Sequence, residues 1–305
     1  MPPDLVTATE PTVERREQTD LRTLESGLDA LQTTEITEKS AFRRFLAGVV
    51  PPVILVVGLV IVWQLYVVFA HPRPDLAPGP LDVLASFASA WNTGRLQLAV
   101  VTSLQRGILG FLIAVVVGSL LGLLLAEFRW LRRAVGPVIS GLQVLPSVAW
   151  VPLAILWFGL TDATVYFVVL MGAVPSIANG LLSGIDQVPP QFRRVGTILG
   201  ASRIQLAMRV VLPAALPGYL GGLKQGWAFS WRSLMAAEII TVGGTIGFGL
   251  GSMLQQGREL ADLAAVMTTI ITILSIGVLI ELVVFAPLER HLLRRRGLLI
   301  TAGKR

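Results

Sequence analysis

The chain has 305 residues, 53% of them hydrophobic and 14% charged, with a mean hydropathy of +0.71. Its apolar residues come in runs long enough to cross a bilayer, which excludes a soluble globular fold and predicts an all-α integral membrane protein. The formal charge of +6 sits at the ends of those runs and not on a basic patch interleaved with aromatics, so no nucleic-acid partner is expected. With no cysteine and only two histidines, His71 and His291, disulfides, thiol catalysis and Cys/His metal clusters are excluded, and nothing supports a carboxylate-only metal site.

Residues 1–42 are polar and mixed in charge and read as a mostly disordered cytoplasmic tail. Leu21, Leu24, Leu28 and Leu31 recur in it at helical spacing, so a short amphipathic helix docking on a partner or the membrane surface stands beside a frayed tail. No basic region followed by an apolar stretch and a small-residue cleavage site opens the chain, so no signal peptide is expected and the first apolar span stays as an anchor. The transmembrane body is placed at 43–296 and a short cytoplasmic tail at 297–305.

Six spans of roughly 20 residues or more are drawn near 48–70, 98–126, 134–158, 163–183, 215–240 and 264–288. Arg43, Arg44, Arg129, Arg132, Arg133, Arg193, Arg194, Arg203, Arg209, Arg290 and Arg294 to Arg296 then fall on one side, against Arg73, Arg95 and Arg258 on the other. The positive-inside rule makes the first side, and both termini, cytoplasmic. After the first span, residues 71–80 form a proline-rich turn and 80–91 a short helix lying on the membrane surface.

The second span carries Gly110, Ala114, Gly118 and Gly122, a small residue every four positions, which reads as a packing face and secondarily as a substrate surface. Arg106, two turns into the same helix, faces a partner or a wet cavity, or else snorkels to the outer headgroups. The third span contains Pro137, Pro146 and Pro152, whose missing donors bend a helix into either a broken element beside a pathway or a static kink.

Between the fourth and fifth spans lies QFRRVGTILGASRIQLAMRVVLP, residues 191–213, with four arginines. It reads as two short helices broken at Gly200, Ala201 and Ser202, a handle that something soluble grips. On the fifth span Lys224, Trp227, Trp231, Met235 and Glu238 fall within about 80° of one another on a helical wheel, forming a polar and aromatic stripe expected to face inward, with Arg232 to its side. Charges of both signs there read as a transport site or as a structural ion pair, with Glu238 and Asp162 as candidate partners for the cations. Gly243, Gly244, Gly247, Gly249 and Gly251 then predict a flexible outer loop.

No enzymatic site is visible. GGLKQGW at 221–227 lacks the spacing and the strand-to-helix setting of a phosphate loop, there is no H-E-x-x-H, and no serine has a plausibly placed histidine. If the protein works on ATP, another chain hydrolyses it.

These features resemble the permease subunit of a bacterial ATP-binding-cassette importer, of the branch that includes aliphatic sulfonate, taurine and nitrate permeases. The family's cytoplasmic loop has the form E-A-A-x3-G-x9-I-x-L-P; here Gly200 falls on the glycine, Val210 on the isoleucine, Leu212 on the leucine and Pro213 on the proline. LGASRIQLAMRVVLPAALP, PSVAWVPLAILWFG and the AAE at 236–238 extend the likeness over roughly residues 45–296. Arg194, Val195 and Gly196 replace the loop's opening acid and two alanines, so the usual carboxylate contact is absent and Arg193 or Arg194 meets an acidic partner surface instead.

The resemblance implies a type I importer-like permease in the bacterial plasma membrane. Two copies form the pathway, two ATPase subunits carrying ATP and Mg dock on the two handles, and an extracytoplasmic binding protein delivers substrate. Coupling falls to Arg193, Arg194, Gly200, Ala201, Ser202, Arg203, Leu212 and Pro213. The pathway falls to Arg106, Pro146, Lys224, Trp227, Trp231, Arg232 and Glu238. This chain is expected to hold no cofactor or metal. The expected substrate is a small anion, sulfonate or taurine first, with nitrate, bicarbonate or a thiamine-precursor-like heterocycle as alternatives. A secondary transporter explains Glu238 but not the handle, and a membrane-embedded enzyme lacks converging nucleophile, acid and base.

Overall fold

The computed structural model describes residues 41–70, 73, 77–243 and 246–296; the leucine-rich part of the N-terminal tail and the residues after 296 lie outside them. Two compact units divide the chain, and the larger, Leu59–Ile300, carries everything discussed below. Of the other, residues 41–58 are described and are helical.

All regular structure among the described residues is helical, as lipid demands, because hydrocarbon offers no partner to an open backbone group. The elements are α1 Ala41–Ala70, α2 Pro80–Asn92, α3 Arg95–Glu127, α4 Arg129–Val144, α5 Val151–Phe158 after a tight turn at Ser147–Trp150, α6 Asp162–Asp186 and α7 Pro190–Ile198. α8 runs from Arg203 to Ile240 with a π turn at Ala207–Val211. α9 is Leu250–Glu259, and α10 runs Leu263–Ile280, through a π turn at Glu281–Phe285, into Ala286–Arg295.

Five of these helices are long and apolar enough to span a bilayer; α4 with the following turn and α5 reaches that length only as a pair bent by 104° at its break, a broken span or a re-entrant loop. The third span is thus not the single rod drawn at 134–158. Leu145, forced out of the helical region by the proline that follows, is extended (φ −70°, ψ 123°), and the chain turns there. The other two prolines do not break it: Pro137 sits inside α4, and Pro152 is in the first turn of α5, where an N–H has no partner to lose.

The core is a trio of α3, α6 and α8. On α3 the small-residue stripe is a packing face: a methyl added at Gly110 would lie 2.9 Å from Val169, at Gly118 2.9 Å from Ile177, and at Gly122 2.9 Å from the Ala178 carbonyl. A second seam, which the sequence reading did not single out, joins α6 to α8. Gly180 meets Gly222 and Gly184 meets Gly218, backbone against backbone, with Gly226 closed over by Ile177. Since lipid is as apolar as leucine, such close approach supplies the dispersion contacts that hold helices together in a membrane.

The two ends of the trio differ. At the handle end Arg132 forms a two-pronged pair with Asp186 (2.9 and 2.5 Å), and Arg296 donates to the Pro213 and Ala214 carbonyls. At the far end, α2 spans Pro80–Asn92 and begins with the Asp82 carboxylate accepting from the Gly79 N–H (2.8 Å). Thr268 of α10 donates to the Val83 carbonyl (3.1 Å), and Phe87 stacks on Trp91 at 6.2 Å.

The last two glycines of the glycine-rich outer segment are packed against the core. Residues 250–259 form a helix, and Gly249 and Gly251 lie directly against the Glu238 side chain. At these two positions glycine allows the backbone to approach a buried carboxylate.

Candidate functional site

The handle is built from two helix ends. α7 closes in a Schellman turn: Ala201 N–H donates to the Gly196 carbonyl and Gly200 N–H to that of Thr197, both at 3.0 Å, while Gly200 takes φ 78°. Ser202 then opens α8 with a capping box, its N–H donating to Gln205 Oε1 (2.9 Å) and its Oγ accepting from the Gln205 N–H (3.3 Å). The break falls at the three residues read from sequence. Gly196 is buried under Leu206, whose Cδ1 occupies the place a Cβ would take. The departure from the family's alanine therefore lets α7 and α8 close on each other.

The handle's outer face is apolar. Ile198 and Leu199 are 83% and 80% exposed and Ile204 76%, with Phe192 and Met208 beside them. Arg193, Arg194, Arg203 and Arg209 are exposed around this patch and form no ion pair among the described residues. An apolar patch of this kind, ringed by cations, is the sort of surface that protein partners cover.

The bend between α4 and the Ser147 turn opens a cavity of about 330 Å³ lined by Gln143, Leu145, Pro146, Ser147, Phe229 and Arg232, among others. Arg232 is fixed by stacking on Phe229 (4.6 Å to the ring centroid) and by donating Nε–H to the Ala228 carbonyl (3.2 Å). Its terminal nitrogens have no carboxylate partner among the described residues. Gln143 donates to Ser176 Oγ (3.4 Å) at the same wall.

The other two membrane cations are paired. Arg106 Nη1 donates to Glu238 Oε1 (3.0 Å) and to the Gly247 carbonyl (3.2 Å), and its Nη2 lies 2.8 Å from Asp162 Oδ1. Glu238 is fully buried and also accepts from Ser103 Oγ (2.7 Å) and Gly251 N–H (3.0 Å). Lys224 bridges two carboxylates of α10, Glu281 (2.7 Å) and Glu289 (3.1 Å). These two glutamates were missed in the sequence because eight positions separate them; the π turn at Glu281–Phe285 shifts the register so that both reach one lysine.

The stripe of Trp227, Trp231, Met235 and Glu238 lies in the core. The two indoles stack at 5.9 Å, with Phe111 edge-on to Trp227 at 5.3 Å. The open face of α8 lies a fraction of a turn away, at Gly221, Gln225, Ala228 and Arg232. A small or polar residue every three or four positions inside an apolar span was its sequence signal. Arg232 and Pro146 share the cavity, whereas Arg106 and Glu238 meet at the far end and Lys224 pairs with α10.

Lys224→Glu would bring three carboxylates together, so its expected first effect is a less stable permease. A fall in the thermal melting temperature of the purified protein checks this. Parent-like melting with lost uptake would mean instead that the lysine's charge is presented to the pathway. Among the described residues no three His, Cys, Asp or Glu side chains are grouped to hold a metal.

The geometry defines a class: a multi-pass helical membrane protein with a pinned, exposed handle at one end and, at a helix break, a mainly apolar cavity that holds one arginine. The chain matches the model of the binding-protein-dependent transport system inner membrane component over residues 114–292, and it belongs to that family, the permease subunits of ATP-binding-cassette importers. Its relatives include the bicarbonate transport system permease protein CmpB of Synechococcus elongatus, 30% identical over 83% of this chain and 92% of that protein. A putative ABC transporter permease protein of Methanocaldococcus jannaschii is 30% identical over 73% of this chain and 83% of its own. The nitrate import permease protein NrtB of Synechococcus elongatus is 27% identical over 65% and 74%.

Proposed function

We propose that this permease moves a small oxyanion, with Arg232 as its contact in the membrane. The observation that carries the reading is the fixed guanidinium at the helix-break cavity, with no carboxylate partner among the described residues. A guanidinium held by its Nε and its flat face presents its terminal edge, the geometry that suits two oxygens of one anion. The sequence branch points to aliphatic sulfonate or taurine, and the relatives' names to bicarbonate and nitrate. All are compact and carry oxygen-borne negative charge.

In this reading two copies enclose the pathway between the open faces of their α8 helices, in the bacterial plasma membrane with both termini cytoplasmic. The handle then projects into the cytoplasm, where the two ATPase subunits, which hold ATP and Mg, seat on Ile198, Leu199, Ile204 and the arginines around them. A binding protein docks at the far end. Polar residues on the open face of α8 support the pairing of copies around a wet path, because hydrocarbon is a poor neighbour for Gln225 and Arg232.

The test is uptake by the complex reconstituted with its ATPase and binding protein, using labelled nitrate, bicarbonate, taurine and an alkanesulfonate. Hydrogen bonds to charged groups contribute roughly 1.5–3 kcal/mol, so Arg232→Gln is expected to lower the maximal uptake rate about tenfold or more. The half-saturating concentration, set by the binding protein, stays nearly constant. Undiminished uptake of every anion by that variant would refute the role of Arg232.

A further inference from the structure

Glu238 is fully buried, yet its bonds lead to a surface loop. Its carboxylate accepts from Ser103, Arg106 and the Gly251 N–H, and its backbone carbonyl accepts from Ser252 Oγ (3.4 Å). Two relays extend this hold. Ser103 Oγ accepts from the Leu250 N–H (2.8 Å), and Arg106 donates to the Gly247 carbonyl (3.2 Å). The first turn of α9 thus delivers two otherwise unpartnered N–H groups, one to the carboxylate and one to the serine that serves it. Gly249 and Gly251 let the backbone come this close, since a Cβ at either would overlap Glu238.

Glu238 also lies two residues from the end of α8, whose other end is the handle. The 38 residues of α8 extend roughly 57 Å at 1.5 Å per residue. The helix is locked to α6 through its middle by the contacts of Gly218, Gly222 and Gly226, and further on by Ser233 against Gly172. A rod held this way moves as a body, and whatever is fastened to its far end moves with it.

We propose that Glu238 is a positioning residue for coupling: it clips the segment 247–252, and with it α9, to the far end of the α8 rod, so that handle and outer loop change position together. The inference rests on the importer reading for what grips the two ends. It assigns Glu238 to transmission and not to contact with the substrate. Burial explains why a carboxylate serves here. With no water to compete, breaking the clip would leave Arg106 without its buried partner, so loop and rod stay joined through the transport cycle.

The chain has no cysteine, so one introduced by Leu260→Cys, at a site 71% exposed just after α9, takes a single spin label per copy. In the full complex with ATPase and binding protein, the distance between the two labels is measured with and without a non-hydrolysable ATP analogue. The parent label is expected to shift with nucleotide. In Glu238→Gln the shift is expected to vanish, and stimulation of ATP hydrolysis by the loaded binding protein to fall to the unstimulated rate. Ser103→Ala, which removes the relay to Leu250 while leaving the ion pair, is the second variant should Glu238→Gln fail to assemble, and is expected to reduce both signals. A parent-like shift and stimulation in either assembled variant would overturn the clip. A parent label indifferent to nucleotide would overturn the rod itself, and with it the lever reading on which the clip rests.

Discussion

Replacing Gly180 with leucine is expected to abolish assembly of the permease. A Cβ at this position falls on the Gly222 Cα, and the obstacle is backbone, not the movable end of a side chain. Neither helix can yield locally. One turn along, Gly184 already touches the Ala215 carbonyl, and two turns back Gly172 abuts Ser233. Overpacking a well-packed core typically costs about 1–3 kcal/mol, occasionally more, and here the helices must separate over several turns. Dispersion contacts weaken steeply with such a gap, and in lipid no hydrophobic drive replaces them. The readout is the yield of monodisperse protein on size exclusion and its melting temperature. Gly221→Ala is the control, because a methyl there meets open space, and parent-like stability is expected. Should Gly180→Leu purify with parent melting, the α6–α8 seam is not packed as described.

Gly200→Val is expected to do the opposite: leave the protein assembled but uncouple it. Space around Gly200 is open, so the effect is carried by backbone conformation. At φ 78° an L-residue is disfavoured by about 1–2 kcal/mol, and a β-branched side chain is a genuine outlier there. Relief comes by unwinding the turn, which breaks the Ala201 and Gly200 bonds to α7 and turns the exposed Ile198 and Leu199 away from the line of α8. Uptake is expected to be lost while ATP hydrolysis by the complex persists. Gly200→Asn, which tolerates the left-handed region, is expected to retain most uptake. Full uptake by the valine variant would sink the handle as a lever.

The handle was legible because its determinants are local. A glycine that must take a left-handed turn, a serine with a glutamine three residues on, and a proline at the head of α7 each act within one turn of chain. Hydropathy likewise located the spans, since crossing hydrocarbon is a demand on each segment by itself. Pro146 marked the bend, but only the packed structure distinguishes it from Pro137, which α4 absorbs. A proline's missing hydrogen bond is the same everywhere, and neighbouring helices decide whether the chain turns.

What the residues alone determined is therefore membrane class, the approximate place of the apolar spans, the handle and its break, and a set of charges with functional weight. Tertiary structure decided which charges are spent on one another. Arg106 finds Glu238 across 132 positions and Lys224 finds Glu289 across 65. It also decided which face of α8 is open: the Trp227 and Trp231 stripe turned into the core because glycines at 218, 222 and 226 drew that helix against α6. A wheel fixes angles between residues on one helix but not the helix's rotation about its axis. That rotation is set by the neighbour it packs on, and so Arg232, named at first as lying to the side, is the cation left facing the cavity.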